Sequence, residues 1–429
     1  MIQEIRIKNY LSFRDEVVLS FEATKDTTFE ECQVVNVTPK VRLLRFALIY
    51  GANASGKSNL LKAMDFLRDF WFDKKSDIDE ETGVVPFFLD TETPNEPSEF
   101  NIKFFVGDKR YWYALVLDDK QVIKEDLYVY NSVQPSLVFS RELDGTASLI
   151  KLNANLVKAN ATIVEQLNVK CLSNMSFFAA RNQVNCSLAY IDEVRDWMKN
   201  NMMPIIEPGT RMFEYAGKQM EKNAELKAYI LDFVHKADYN ITDVYTEREK
   251  VPIPDFVKTS IMEDKDIPEK TKEKVLADNA LERLRTDFQH TVKNKRGEEN
   301  YRLSNSLQSE GTKRTFGIEA AIYEAIKTNG ILPIDEIESS LHPELVEFII
   351  EKFLKEKSRS QLIVTSHYDP LLNTVDDLIR KDSVWFTEKE KDGHTTLYSL
   401  TDFKGLSKIS SFQKSYRNGV FGALPNIYD

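Results

Sequence analysis

Gly51-Ala52-Asn53-Ala54-Ser55-Gly56-Lys57-Ser58 has the spacing G-x4-G-K-[ST]. The run before it, Leu43 to Tyr50, is nearly continuous in apolar residues, as in a strand buried on both faces. After it, Leu60, Leu61, Met64 and Leu67 recur on one helical face. Strand, glycine loop and helix in that order form a phosphate loop. The glycines let the backbone curl so that its N–H groups face phosphate oxygens, and the helix start adds partial positive charge. The expected cradle is Asn53, Ala54, Ser55, Gly56, Lys57, Ser58 and Asn59. Lys57 would reach the β- and γ-phosphates, and the Ser58 hydroxyl would coordinate Mg²⁺.

A phosphate loop needs a metal-orienting acid and a group that positions water. Ile331-Leu332-Pro333-Ile334-Asp335-Glu336 is an apolar strand ending in adjacent acids. Asp335 would bind Mg²⁺ through its waters, and Glu336 would act as general base on the attacking water. Pro333 lacks the N–H that a central strand donates, so a distorted strand or looser pairing is expected there. The next apolar strand, Gln361 to Thr365, ends in Ser366-His367. A neutral His367 imidazole there would hydrogen-bond the γ-phosphate and sense its loss. Ser309-Glu310-Gly311 opens a helix whose apolar face is Ile318, Ala321 and Ala325. The Ser309 hydroxyl and the Gly311 N–H could grip phosphate, or Ser309 could serve as a plain N-cap.

The remaining chain frames this constellation. Its 429 residues suggest about three units at ~150 residues each. A net charge of −11 excludes a globally basic nucleic-acid coat. Cys32, Cys171 and Cys186 cannot build a disulfide framework and suggest a reducing compartment. No apolar stretch reaches the ~18 residues of a membrane span. Met1 to Arg6 carries an early acid and no apolar h-region, so a cytoplasmic protein is expected.

The first 50 residues read as strands, and Glu99 to Tyr130 as further strands with a hairpin turn at Gly107-Asp108. Residues 155–300 read as mostly helical, including a face of Phe213, Met220, Leu226, Ile230 and Phe233 and a charged run from Lys270 to Asp287. Val251-Pro252-Ile253-Pro254 reads as a helix-breaking surface connection. The expected layout is α/β: an ATPase head split between 1–150 and 301–429, with a helical insertion or lid over 151–300.

Taken in order, these pieces resemble the ABC-type ATPase heads shared by SMC, RecF and OLD-family proteins. Asn9-Tyr10-Leu11-Ser12-Phe13 looks like the N-x-x-S-F segment that begins such heads. The phosphate loop, the Ser309–Gly311 signature, Asp335-Glu336, the Ser339-Ser340-Leu341-His342-Pro343 D-loop and His367 follow in family order. The ending Asn418 to Pro425 looks like the stand-alone OLD-like ATPases of the RloA, abortive-infection and PARIS AriA kind. The signature has Glu310 where transporters have Gly, in agreement with the OLD-like form. No Q-loop glutamine is assigned, and Gln121 is only a candidate.

The resemblance implies ATP and Mg²⁺ as ligands and a homodimer of heads, with higher assembly open. ATP on Lys57 and Ser58 of one head would be capped by Ser309 and Gly311 of the other. The chain runs 62 residues beyond His367 (429 − 367), short of an OLD-type Toprim domain. A separate nuclease or toxin effector, encoded nearby, is therefore expected, with a role in antiphage defence. A DNA-repair clamp ATPase is the alternative, with His290, Lys293, Lys295 and Arg296 as the local basic cluster. A small-substrate kinase is disfavoured, since the signature and D-loop would have no task in it.

Overall fold

The computed structural model describes residues 1–145, 147–237, 240–264, 269, 272 and 280–425. The chain divides into two compact units. The first comprises Met1–Pro208, Glu324–Ser339 and Val346–Asp429, and the second Gly209–Tyr323 with Ser340–Leu345.

Strands are labelled in chain order. In the first unit they are β1 (Ile2–Lys8), β2 (Val17–Ser20), β3 (Val34–Thr38), β4 (Val41–Leu44), β5 (Phe46–Gly51), β6 (Ser98–Val106), β7 (Lys109–Leu117), β8 (Val122–Tyr130), β9 (Ser136–Asp144) and β10 (Ala147–Leu152). The second unit contributes β11 (Ile241–Pro252), β12 (Ala280–Asn294) and β13 (Gly297–Ser304). The chain then returns to the first unit with β14 (Ile331–Ile334), β15 (Gln361–Ser366), β16 (Val384–Lys389) and β17 (Thr395–Ser399).

Two large sheets build the first unit. An antiparallel sheet runs β10-β9-β8-β7-β6-β1-β2, and a mixed sheet runs β14-β15-β5-β16-β17 with only β17 antiparallel. Every residue of β5 is buried, as its apolar run requires. The helix Lys57–Phe70 places Leu60, Leu61, Met64 and Leu67 in one core with Ile49 of β5 and with Ile5, Ile7 and Phe100 of the antiparallel sheet. Burying each of these side chains contributes about 1.5–3 kcal/mol. The α/β head with an antiparallel β subdomain that the sequence implies is the fold observed, and Gly107-Asp108 is the β6–β7 turn.

A buried ion pair locks the antiparallel sheet. Arg141 on β9 and Glu125 on β8 are both fully buried and meet at 3.1 Å. Arg141 also donates to the carbonyls of Leu172 (2.8 Å) and Met175 (2.5 Å). Glu125 accepts from Tyr113 Oη (2.9 Å), Ser176 Oγ (2.9 Å) and the Phe177 N–H (2.7 Å). Every charge is thus matched by hydrogen bonds, the condition under which a buried pair is tolerated.

Pro333 finds a simple place. β14 is the last strand of its sheet, and its outer side meets the irregular segment at Met202–Ile206 through isolated bridges. The Pro333 carbonyl accepts the Ile206 N–H at 3.0 Å on that side. The N and C=O of a strand residue point the same way, so the missing donor also faces outward. The ladder to β15 is untouched.

The expectation of a mostly helical 155–300 holds over 161–236 and needs correction from Ile241 onward. The second unit carries an antiparallel sheet, β11-β12-β13, besides the helices Met212–Lys222, Ala224–Lys236 and Asp255–Glu263. From Ala280 the charged run is strand, while 270–271 and 273–279 lie outside the described residues. Val251 and Pro252 extend β11 rather than breaking a helix, and β11 is an edge strand, where Pro is tolerated. The predicted helical face does exist over 213–233, with Phe213, Met220, Leu226, Ile230 and Phe233 all buried. Phe213, Phe288 and Phe316 pack ring to ring, with centroids 4.9–6.4 Å apart.

Candidate functional site

The mixed sheet gathers its parallel strand ends at one edge. β5 lies between β15 and β16, with Tyr50 opposite Ser366 and Gly51 opposite Thr387. β14 lies beyond β15, with Ile334 opposite Val364. The phosphate loop, Asp335-Glu336, His367 and Thr387–Lys389 therefore leave the sheet at the same edge. The carboxyl ends of parallel strands are where open α/β sheets bind ligands.

Loop conformation follows from its residues. Gly56 has φ +101°, and a Cβ there would lie 2.8 Å from Ser12 Oγ, so glycine is required on both counts. Ala54 is also left-handed, at φ +61°. The loop is pinned from outside. Ser55 Oγ meets Thr387 Oγ1 at 2.6 Å, and Thr395 Oγ1 donates to the Ser55 carbonyl at 2.9 Å. Ser12 Oγ accepts from Asn59 Nδ2 (2.8 Å) and lies 2.9 Å from Thr395 Oγ1. The Asn59 side chain is thus turned to Ser12, while Asn53 and Ala54 are exposed and Ser58 is half-buried.

Lys57 is 6% exposed, and its ammonium donates to the carbonyls of Gly51 (2.8 Å) and Ala52 (3.1 Å). Burial pulls this ammonium below the usual lysine range, against the opposing fields of Glu336, Asp335 and Glu338. The phosphate-loop cation and the acids after β14 therefore act on one another. A polyphosphate entering the loop would supply the charge that two carbonyls now supply only in part.

Asp335 is buried, and its Oδ1 accepts the Thr365 hydroxyl at 2.5 Å. The same hydroxyl oxygen accepts the Glu336 N–H at 2.8 Å. Glu336 has φ +46°, a conformation that costs a non-glycine residue about 1 kcal/mol or more. Thr365 and the Ser339 N–H, which donates to the Glu336 carbonyl at 2.9 Å, hold it there. The Asp335 carboxylate and the Ser58 hydroxyl are hard oxygen donors of the kind Mg²⁺ takes together with substrate phosphates, so the residues present suit that ion.

His367 is bound to Glu338. Glu338 Oε1 lies 2.9 Å from His367 Nδ1 and accepts the His367 N–H at 2.7 Å. Glu338 Oε2 is buried without a hydrogen-bond partner.

The second unit carries the signature residues. Ser309 Oγ accepts the Thr312 N–H at 3.0 Å, so the serine caps the helix Glu310–Thr328. A Cβ on Gly311 would lie 2.6 Å from the Ser340 carbonyl oxygen. Glycine there allows the helix start to lie against the D-loop, where Ser340 is left-handed at φ +61°. Lys293, Lys295 and Arg296 fall at the β12–β13 turn, and His290 lies within β12. Lys293 pairs in register with Glu298 and His290 with Tyr301, so an acid lies directly across from Lys293. Gln121 closes the β7–β8 turn against Asp118 and takes no place at the sheet edge of the loop.

Sequence reasoning missed Ser12, Thr365, Glu338, Thr387 and Thr395 as supports. Thr365 carried a signal, since a hydroxyl inside an apolar strand needs a partner. Thr387 and Thr395 lie more than 300 residues from the loop they hold, and no local pattern marks them.

Among the described residues, no helix is long and apolar enough to cross a membrane. Among solved structures, the chain is similar to the SMC head domain from Thermotoga maritima, at 13% identity and a TM-score of 0.42, covering 93% of this chain and 98% of that one. It is also similar to the Smc head domain with an extended coiled coil, bound to the C-terminal domain of ScpA, from Pyrococcus furiosus. That match has 12% identity and a TM-score of 0.39, covering 94% and 97%. No curated protein matches significantly. The family described as "AAA domain, putative AbiEii toxin, Type IV TA system" matches over residues 46–153 and 215–373, more than half of the sequence, and the chain belongs to that AAA-domain family.

Proposed function

We propose that this protein is an ATP-hydrolysing switch of the ABC type, working as a nucleotide-gated sensor or scaffold in abortive-infection defence. It resembles the stand-alone OLD-like ATPases of the RloA and AriA kind, and it would control a separate nuclease or toxin. The observation that carries the ATPase reading is the buried Lys57 ammonium within the phosphate loop, acted on by Asp335 and Glu336 at the same sheet edge. Lys57 and the loop N–H groups bind the phosphates, Ser58 and Asp335 would hold Mg²⁺, and Glu336 takes the proton of the attacking water. The metal supplies charge neutralisation on the phosphates when bound. Ser309 and Gly311 of a second copy complete the pocket, so ATP joins two heads and hydrolysis releases them.

The test mixes two inactive subunits. Lys57→Ala and Ser309→Ala proteins are each expected to lose turnover, and their mixture to regain part of it, because one pocket of the mixed dimer is intact. A mixture as inactive as its components would remove the shared pocket. Glu336→Gln is expected to hold ATP and to elute as a dimer or larger species with ATP and Mg²⁺. Co-purification of the product of the adjacent gene tests the effector.

A further inference from the structure

A cavity of about 650 Å³ opens beside the phosphate loop, and its far wall is formed by residues of the segment Tyr416–Pro425. Gly51, Asn53 and Ser55 line one side together with His367. Arg417 and the segment Ala423–Pro425 line the other. The volume lies in the range of small-molecule sites. The wall is fixed to the sheet edge that shapes the loop. Phe421 and Tyr416 stack on Phe386 of β16, at 5.6 and 5.8 Å between centroids. Tyr416 Oη donates to the Ala423 carbonyl at 3.0 Å, and Tyr398 Oη on β17 donates to the Phe421 carbonyl at 2.8 Å. The next residue after Phe386 is Thr387, whose hydroxyl meets Ser55. The wall and the loop thus share one strand.

Arg417 is the cation of that wall. Its side chain is 62% exposed and its guanidinium forks onto Asp369, with Nη2 3.0 Å from Oδ1 and Nε bonded to Oδ2. Asp369 lies two residues after His367 and lines the same cavity. A fork that fits two carboxylate oxygens fits two phosphate oxygens equally well. We propose that Arg417 is a second phosphate-binding cation of this site. It would leave Asp369 to grip the terminal phosphate of a nucleoside triphosphate, at the His367 side of the loop. The Tyr416–Pro425 segment would thereby report whether that phosphate is present. This assignment rests on the phosphate-loop reading above.

The test is titration of the full-length protein with a fluorescent ATP analogue, a fluorescent ADP analogue and inorganic phosphate. The wild type is compared with Arg417→Ala, Arg417→Lys, Asp369→Asn and Lys57→Ala. Because Arg417 is exposed, its loss leaves the fold in place, which a thermal melt checks. Arg417→Ala is expected to weaken the triphosphate by about 10- to 100-fold, the cost of a charge-assisted hydrogen bond, and the diphosphate far less. Arg417→Lys should recover part of the loss. Asp369→Asn should tighten triphosphate binding, since the arginine's competing carboxylate is gone. Equal triphosphate affinity in Arg417→Ala and wild type, with Lys57→Ala binding neither nucleotide, overturns the arginine assignment and leaves the phosphate loop standing. Undiminished binding by Lys57→Ala overturns both.

Discussion

Glu338 Oε1 holds His367 twice, accepting its backbone N–H at 2.7 Å and lying 2.9 Å from its Nδ1. The carboxylate thus lies against both the backbone and the ring of His367. Replacing Glu338 by Ala should therefore act through His367. The expected result is a fall in ATPase kcat of about 10-fold with KM little changed, as for loss of a supporting hydrogen bond. His367→Ala should cost a similar amount, and the double variant little more than either single one, because the two side chains act as a unit. Additive losses in steady-state kinetics would show that Glu338 works independently.

Thr365 serves both acids with one hydroxyl. Thr365→Val keeps the volume and removes the donor to Asp335 and the acceptor for the Glu336 N–H. The Mg²⁺ concentration at half-maximal turnover should rise about 10-fold or more, as when the hydrogen bond behind a metal ligand is lost. Thr365→Ser should restore it. A Mg²⁺ titration unchanged in the valine variant would mean that Asp335 needs no such support.

Lys57 gives a pH dependence of known sign. Burial lowers its folded pKa, so the ammonium gives up its proton before an ordinary lysine at about 10.4. Nucleotide affinity should begin to fall below that value as pH rises. Stability of the nucleotide-free protein should move the other way. Between the folded and unfolded lysine pKa values the unfolded chain binds more protons, so the Lys57 contribution to stability rises with pH. Calorimetric titration with ATP between pH 7 and 10 reads the first effect. Melts of wild type against Lys57→Met over the same range read the second.

The Glu125–Arg141 pair should govern stability and not turnover. Glu125→Ala leaves a buried guanidinium short of its charge partner and is expected to cost about 3–5 kcal/mol. Replacing both residues by apolar side chains of similar volume should cost less than that single change. Chemical denaturation monitored by circular dichroism measures both, with ATP binding by the surviving folded fraction as the control.

How much of this was legible beforehand depends on whether the cause was local. The phosphate loop, the acid pair and the strand leading to His367 are continuous segments with their own apolar periodicity, and the structure gathers them at one sheet edge. The strands of the insertion were missed because β11 carries Glu247, Arg248, Glu249 and Lys250 in succession, none of them buried. Without a one-sided apolar pattern, Glu- and Lys-rich ribbon resembles solvated helix. Pro333 looked out of place only because its sequence suggests a central strand, whereas β14 closes the sheet.

The sequence by itself determined which chemical groups this protein carries and in what order: a glycine loop with its lysine, paired acids after an apolar strand, a histidine after the next. Those follow from spacing, because short segments dictate their own backbone. Only the tertiary structure decided which distant groups hold them. Thr387 and Thr395 pin the loop, Glu338 orients His367, and Arg417 faces the loop across a cavity. Such partners meet because neighbouring strands set their register across hundreds of residues, and register leaves no mark on either segment alone.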